Sequence, residues 1–195
     1  MQALSVSAAA SSLLPPAMTA MHLGLDAQKQ PVLDGALRGY RWVHFATHGI
    51  VDSVRPDRSG LVLSMVGDDG RVRDGFLRLA EIYDLSLSAD LVVLSACQTA
   101  LGREVRRDGM LSLTRGFLEA GARMVLATLW RVDDRATARF MAAFYRALLL
   151  DHAPPEVALS AAQRTMQTDP TYHAPYYWAG FQLQGDWRPA SPSEH

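Results

Sequence analysis

The chain has 195 residues, one domain's worth by length, and its 49% apolar and 20% charged residues exclude disorder as the dominant state. With 19 basic and 20 acidic residues the net charge is −1, so no basic surface marks a nucleic-acid binder. The single cysteine, Cys97, excludes an intrachain disulfide, and Cys and His do not cluster at zinc-ligand spacing.

Residues 1–21 carry no charge and are interrupted by Ser, Thr and the pair Pro15-Pro16, which reads as a weakly ordered tail. Those interruptions argue against a membrane span, and the stretch lacks the basic start of a signal peptide, so a cytoplasmic protein without membrane contact is expected. Residues 26–38 (DAQKQPVLDGALR) predict a helix that Pro31 starts or kinks. Residues 41–47 (RWVHFAT) predict a strand that ends in His48-Gly49. Residues 60–66 (GLVLSMV) predict a second short strand, and Asp68-Asp69-Gly70 a turn into a small hairpin with 70–73. Residues 76–85 read as a short helix on the spacing of Leu77, Ile82 and Leu85.

Residues 91–96 (LVVLSA) and 124–129 (MVLATL) are unbroken apolar runs. Such runs predict strands buried on both faces of a parallel sheet. Between them, 108–120 predicts a helix with Leu111, Leu113, Phe117 and Leu118 inward and Gly121 as its stop. Residues 133–150 give the longest helical pattern, opened by two acids that suit the helix dipole, and 154–167 a further helix with Pro in its first turn. Tyr176-Tyr177-Trp178 and a last strand at 180–183 close the chain. Strands alternating with helices predict an α/β sandwich, a mainly parallel sheet covered on both faces. No internal repeat is visible.

Such sheets carry their active groups just past the carboxyl ends of the strands. His48 and Cys97 both occupy that position, each followed by residues suited to a turn or a helix start: Gly49, and Gln98-Thr99. Taken alone, Cys97 reads as a small buried hydrophobe and His48 as a turn residue. Together, on neighbouring parallel strands, they predict a thiol beside an imidazole that takes its proton, with a following helix N-terminus lowering the thiol pKa further.

The motifs VHFATHG (43–49), SGLVLS (59–64), LAEIYDLSLSADLVVLSACQTALG (79–102) and DGMLSLTRGFLEAGARMVLATLWRVDD (108–134), with FMAAFYRAL (140–148) and APYYWAGFQLQGDW (174–187), resemble the CHAT domain peptidases, relatives of caspases and separases. The motif resemblance runs from about Leu23 to Trp187, dividing the chain into a 1–21 tail, a 22–187 domain and a 188–195 tail. It implies a caspase-like αβα sandwich, and a cysteine endopeptidase acting through a thioester. His48 then matches the general base and Cys97 the nucleophile, and the N–H groups of Gly49 and Cys97 match the oxyanion hole. No cofactor or metal is implied, and the partner implied is a protein or peptide substrate.

Other residues have a role weighed against a plainer one. Asp52 either orients His48 or caps its own turn, the preferred reading. Asp133 and Asp134 either receive a basic substrate side chain or cap the following helix, again the preferred reading. His44 is expected to be a hydrogen-bonded core residue, the 176–178 aromatics to pack, and Arg103, Arg106 and Arg107 to form a solvated loop. Against the family pattern, two strands expected ahead of the His48 strand have no match in 1–21. The strand from Arg41 to Thr47 would then be a sheet edge with a ladder partner on one side. The chain would be a fragment or mis-started frame, a domain completed at that edge by a missing segment or a protein partner, or an inactive relative kept as an interaction module.

Overall fold

A computed structural model of the chain describes residues 13, 18–52, 55–67, 69–95, 97–100 and 108–186, with 56, 97–100 and 108–110 described by backbone. In chain order the elements are α1 (Lys29–Leu33), β1 (Trp42–Phe45), β2 (His48–Val51), β3 (Gly60–Val62), β4 (Phe76–Arg78), α2 (Leu79–Tyr83), β5 (Leu91–Leu94), β6 (Cys97–Ala100), α3 (Asp108–Glu119), β7 (Met124–Thr128), α4 (Asp134–Leu149), α5 (Pro155–Gln167) and β8 (Phe181–Gly185). The principal sheet has the order β1-β5-β7-β8, parallel except for β8, and the second has the order β4-β3-β2-β6.

β5 and β7 are buried along their whole length and lie inside the principal sheet, as their unbroken apolar runs predict. Their alternation is concealed because both faces are covered. Val92, Leu94, Val125 and Ala127 pack on one side with Phe117 of α3 and Ile82 of α2. Leu91, Val93, Met124 and Leu126 pack on the other with Phe140 and Phe144 of α4 and Ala158 and Ala162 of α5. β1 divides in the same way: Val43 and Phe45 join the first cluster and Trp42 the second. Phe45 meets Phe117 at 5.3 Å between ring centroids, and Phe140 stacks on Phe181 of β8 at 3.8 Å.

Helix ends follow the expected chemistry. α3 stops at Gly121, whose φ of +105° suits glycine, and its closing bonds run from Gly121 N to Leu118 O (3.1 Å) and from Ala122 N to Phe117 O (3.0 Å). Asp133 precedes α4 and its side chain accepts from the N–H groups of Arg135 and Ala136.

Four expectations change. The 26–38 helix shrinks to α1, with turns from 34 to 39, because Gly35 and Gly39 take positive φ. The 76–85 helix is shared between β4 and α2: Phe76 and Leu77 pair with β3, and only then does the chain turn helical, with the Glu81 carboxylate accepting from Arg78 N–H at 2.8 Å. Leu111 is 41% exposed rather than inward, while Leu113 and Phe117 are buried. The 70–73 hairpin is reduced to an antiparallel bridge between Val66 and Val72, and Asp68 lies outside the described residues. Among the described residues β1 has one ladder neighbour, β5, as expected of an edge.

Candidate functional site

The pairing of β1 with β5 and of β2 with β6 forms one ladder interrupted once. Trp42 pairs with Leu91 and Phe45 with Leu94, an offset of 49 (91 − 42). Beyond the break His48 pairs with Cys97 and Val51 with Ala100, again an offset of 49 (97 − 48). Both strands therefore break at the same level, after Phe45 and after Leu94, and resume in unchanged parallel register. The 49-residue spacing visible in the sequence is the register offset itself. It puts the backbones of His48 and Cys97 side by side, at the roughly 4.8 Å separation of adjacent strands.

A side-chain and a backbone hydrogen bond lie at the break. Thr47, 7% exposed, donates its hydroxyl to Val62 O of β3. Ser95 N donates to Phe45 O at 3.1 Å. β2 is enclosed by β3 on one side and β6 on the other, with His48 opposite Val62 and Cys97. His48 is exposed while Gly49 and Val51 are buried, so the strand is anchored on one face and presents the imidazole to solvent on the other.

The segments after His48 and Cys97 differ from the expected turn and helix start. His48-Gly49 opens a strand rather than a turn, because Ile50 and Val51 are β-branched and complete the ladder. Cys97 likewise opens β6, so the residues that follow it directly are a strand and not the expected helix start, and the next described helix, α3, begins at Asp108. The Ile50-Val51 pair was the signal available for β2. Arg103, Arg106 and Arg107 lie outside the described residues.

Asp52 and Asp133 make the contacts expected of caps. Asp52 Oδ1 accepts from Arg55 N at 2.8 Å, and Asp52 N donates to the hydroxyl of buried Ser59 at 3.1 Å, a turn cap. Asp133 caps α4, and Asp134 lies in its first turn. Trp130 Nε1 donates to Tyr176 O at 2.9 Å and the Tyr176 hydroxyl donates to Arg131 O at 2.8 Å, fixing the loop after β7. Gly180 supports that clasp, since a Cβ there would lie 2.8 Å from the Trp130 ring.

His44 is a core histidine, as expected: 4% exposed, with Nε2 2.6 Å from Ser95 Oγ and Nδ1 3.0 Å from the Tyr145 hydroxyl. Burial lowers its pKa from 6.5 to about 3 and raises that of Tyr145. The partners Ser95 and Tyr145 were not foreseen, although a serine inside an apolar strand was a visible cue. Among the described residues no three His, Cys, Asp or Glu side chains converge as a metal would require. No described helix is long and apolar enough to cross a membrane.

A mostly parallel sheet between two helix-covered cores, with a histidine and a cysteine in register past the ends of two strands, defines a caspase-like α/β sandwich. The chain belongs to the CHAT domain family, whose model matches residues 5–186 and so extends ahead of the motifs that begin near Leu23. Tetratricopeptide repeat protein 28 of Mus musculus is 39% identical over 145 residues, covering 74% of this chain and 6% of that protein. Tetratricopeptide repeat protein 28 of Homo sapiens is 34% identical over 164 residues, covering 84% of this chain and 6% of that protein. The chain thus spans a small part of these relatives' length.

Proposed function

We propose that the chain is a cysteine-type endopeptidase domain in which His48 is the general base and Cys97 the nucleophile. The observation that carries this reading is the register pairing of His48 with Cys97 across β2 and β6. In the proposed sequence His48 takes the thiol proton and sulfur attacks the peptide carbonyl carbon. The tetrahedral oxyanion is held by backbone N–H groups at the strand starts, those of Gly49 and Cys97 in this reading. The C–N bond breaks as the imidazolium returns the proton to the leaving amine, giving a thioester. Water, deprotonated by His48, then attacks the thioester and the thiol is restored. Catalysis in this scheme uses side chains and backbone alone.

The test is labelling by a thiol-directed peptidyl probe together with cleavage of a peptide mixture, in wild type, Cys97→Ala and His48→Ala. Labelling and cleavage in the wild type, lost in both variants, support the proposal. Labelling unchanged in His48→Ala refutes it. A preference for basic residues before the scissile bond, the second role weighed for Asp133 and Asp134, is read in the same assay from Asp133→Asn and Asp134→Asn.

A second reading is a non-catalytic interaction module whose sheet is extended at β1 by another protein segment. It is favoured by the single ladder neighbour of β1 among the described residues. Its signature is association in sedimentation without cleavage of any peptide.

A further inference from the structure

The proposed chemistry leaves unused a buried polar chain that ends two residues before Cys97. His44 of β1 pairs in register with Val93, and Ser95 lies two residues beyond Val93, just past the end of β5, at the diagonal position within reach of a long side chain. The hydroxyl of Tyr145 approaches from α4, with its ring 5.8 Å from that of His44 and tilted by 32°. Ser95 is thus tied to β1 twice, by its side chain to His44 and by its N–H to Phe45 O, where β5 gives way to β6.

The protons of this chain can be assigned. Burial keeps the imidazole neutral and the phenol protonated at neutral pH. A neutral imidazole has one donor and one acceptor. Tyr145 donates to His44 Nδ1, and the remaining N–H on Nε2 donates to Ser95 Oγ. The opposite tautomer would strand the buried phenol proton, and a buried donor left unmade is the costlier fault. The Ser95 hydroxyl, having accepted from His44, keeps its own proton to donate at the break.

We propose that Tyr145, His44 and Ser95 are positioning residues that lock the β5–β6 break to β1 and α4, and so set Cys97 against His48. This rests on the thiol–imidazole reading of that pair. The two strands resume in unchanged register beyond the break, which requires both breaks to be fixed at one level. Displacement of about 1 Å at a reacting group is enough to cost roughly 100-fold in rate.

Cys97 is the only thiol in the chain, so alkylation by iodoacetamide reads it alone. Rates at neutral pH are compared for wild type, Tyr145→Phe, Ser95→Ala, Ser95→Thr, the Tyr145→Phe/Ser95→Ala double variant and His48→Ala, with nitrogen NMR of the His44 ring. Tyr145→Phe and Ser95→Ala are each expected to slow alkylation about 10- to 100-fold. The double variant should be no slower than the worse single one, because the residues act as a unit. Ser95→Thr, which keeps the hydroxyl, should restore most of the rate, and the wild-type ring should carry its proton on Nε2. Should Tyr145→Phe fail to fold, Ser95→Ala against Ser95→Thr carries the test. Slow His48→Ala with wild-type rates in Tyr145→Phe and Ser95→Ala overturns the positioning role and leaves the pair standing. A wild-type rate in His48→Ala overturns both, and a proton on Nδ1 overturns the chain as assigned.

Discussion

His44 and His48 are four residues apart on successive strands and have opposite environments. His44 is sealed between β1, Ser95 and α4, whereas His48 is exposed at the mouth of the second sheet. The difference has a thermodynamic consequence. The unfolded chain takes up a proton on His44 near pH 6.5, which the folded chain refuses until about pH 3. Below pH 6.5 unfolding therefore gains a proton, and stability falls by up to about 1.4 kcal/mol per pH unit. Burial lowers His44, so its contribution is intact above 6.5 and is lost on acidification. Asp74, Glu81 and Asp169, held below their usual ranges, add their own losses only further down, as pH falls through the carboxylate range. Urea midpoints for wild type and His44→Gln between pH 7 and pH 5 should show a slope in the first that is flattened in the second. Parallel slopes would mean that His44 titrates normally. The core role of His44 was legible from its place inside an apolar strand, but its partners were not: Tyr145 is 101 positions away, and only the packing of α4 on the sheet brings it there.

Among the elements, the long helices and the apolar strands β1, β5 and β7 were legible, and three short strands were not. α4 and α5 fall within a residue of their expected bounds, because an acid or a proline marks each start and the apolar stripe repeats over several turns. β2, β4 and β6 are three or four residues each, too short for a period to show, and two of them begin at the residues read as strand ends. Side-chain caps are likewise readable, and their cost is testable. Asp133→Ala should destabilise the fold by about 1 kcal/mol through loss of the α4 cap. For a chain of this size that lowers the melting temperature by about 2–4 °C. The readout is a thermal scan beside the peptide-cleavage profile. A changed cleavage preference with an unchanged melting temperature would instead assign Asp133 to substrate.

The whole molecule is organised by the principal sheet, whose two faces feed two separate cores. That was readable from the unbroken apolar strands, whereas the single ladder neighbour of β1 among the described residues was expected from the strand order that the family resemblance implies. The second sheet was not, because nothing in the local sequence says that β1 and β5 break and continue together. Hydrogen exchange should reflect this architecture. Arg41 O and Phe45 O accept from β5, so by the parity of a parallel ladder the amides of Trp42 and His44 face away from it. Their exchange should be faster than that of β5 and β7, which have ladder partners on both sides. Equal protection across all three strands would show that β1 is covered by a further segment.

The catalytic reading turns on His48 and Cys97 acting as a pair, and the alkylation rate of the one thiol at neutral pH, in wild type and His48→Ala, tests it most directly. A general base contributes about 100-fold or more when it is within reach of the proton it removes. A working pair predicts that His48→Ala slows alkylation by at least about tenfold while the melting temperature stays within a few degrees of wild type. Equal rates in the two proteins would contradict it.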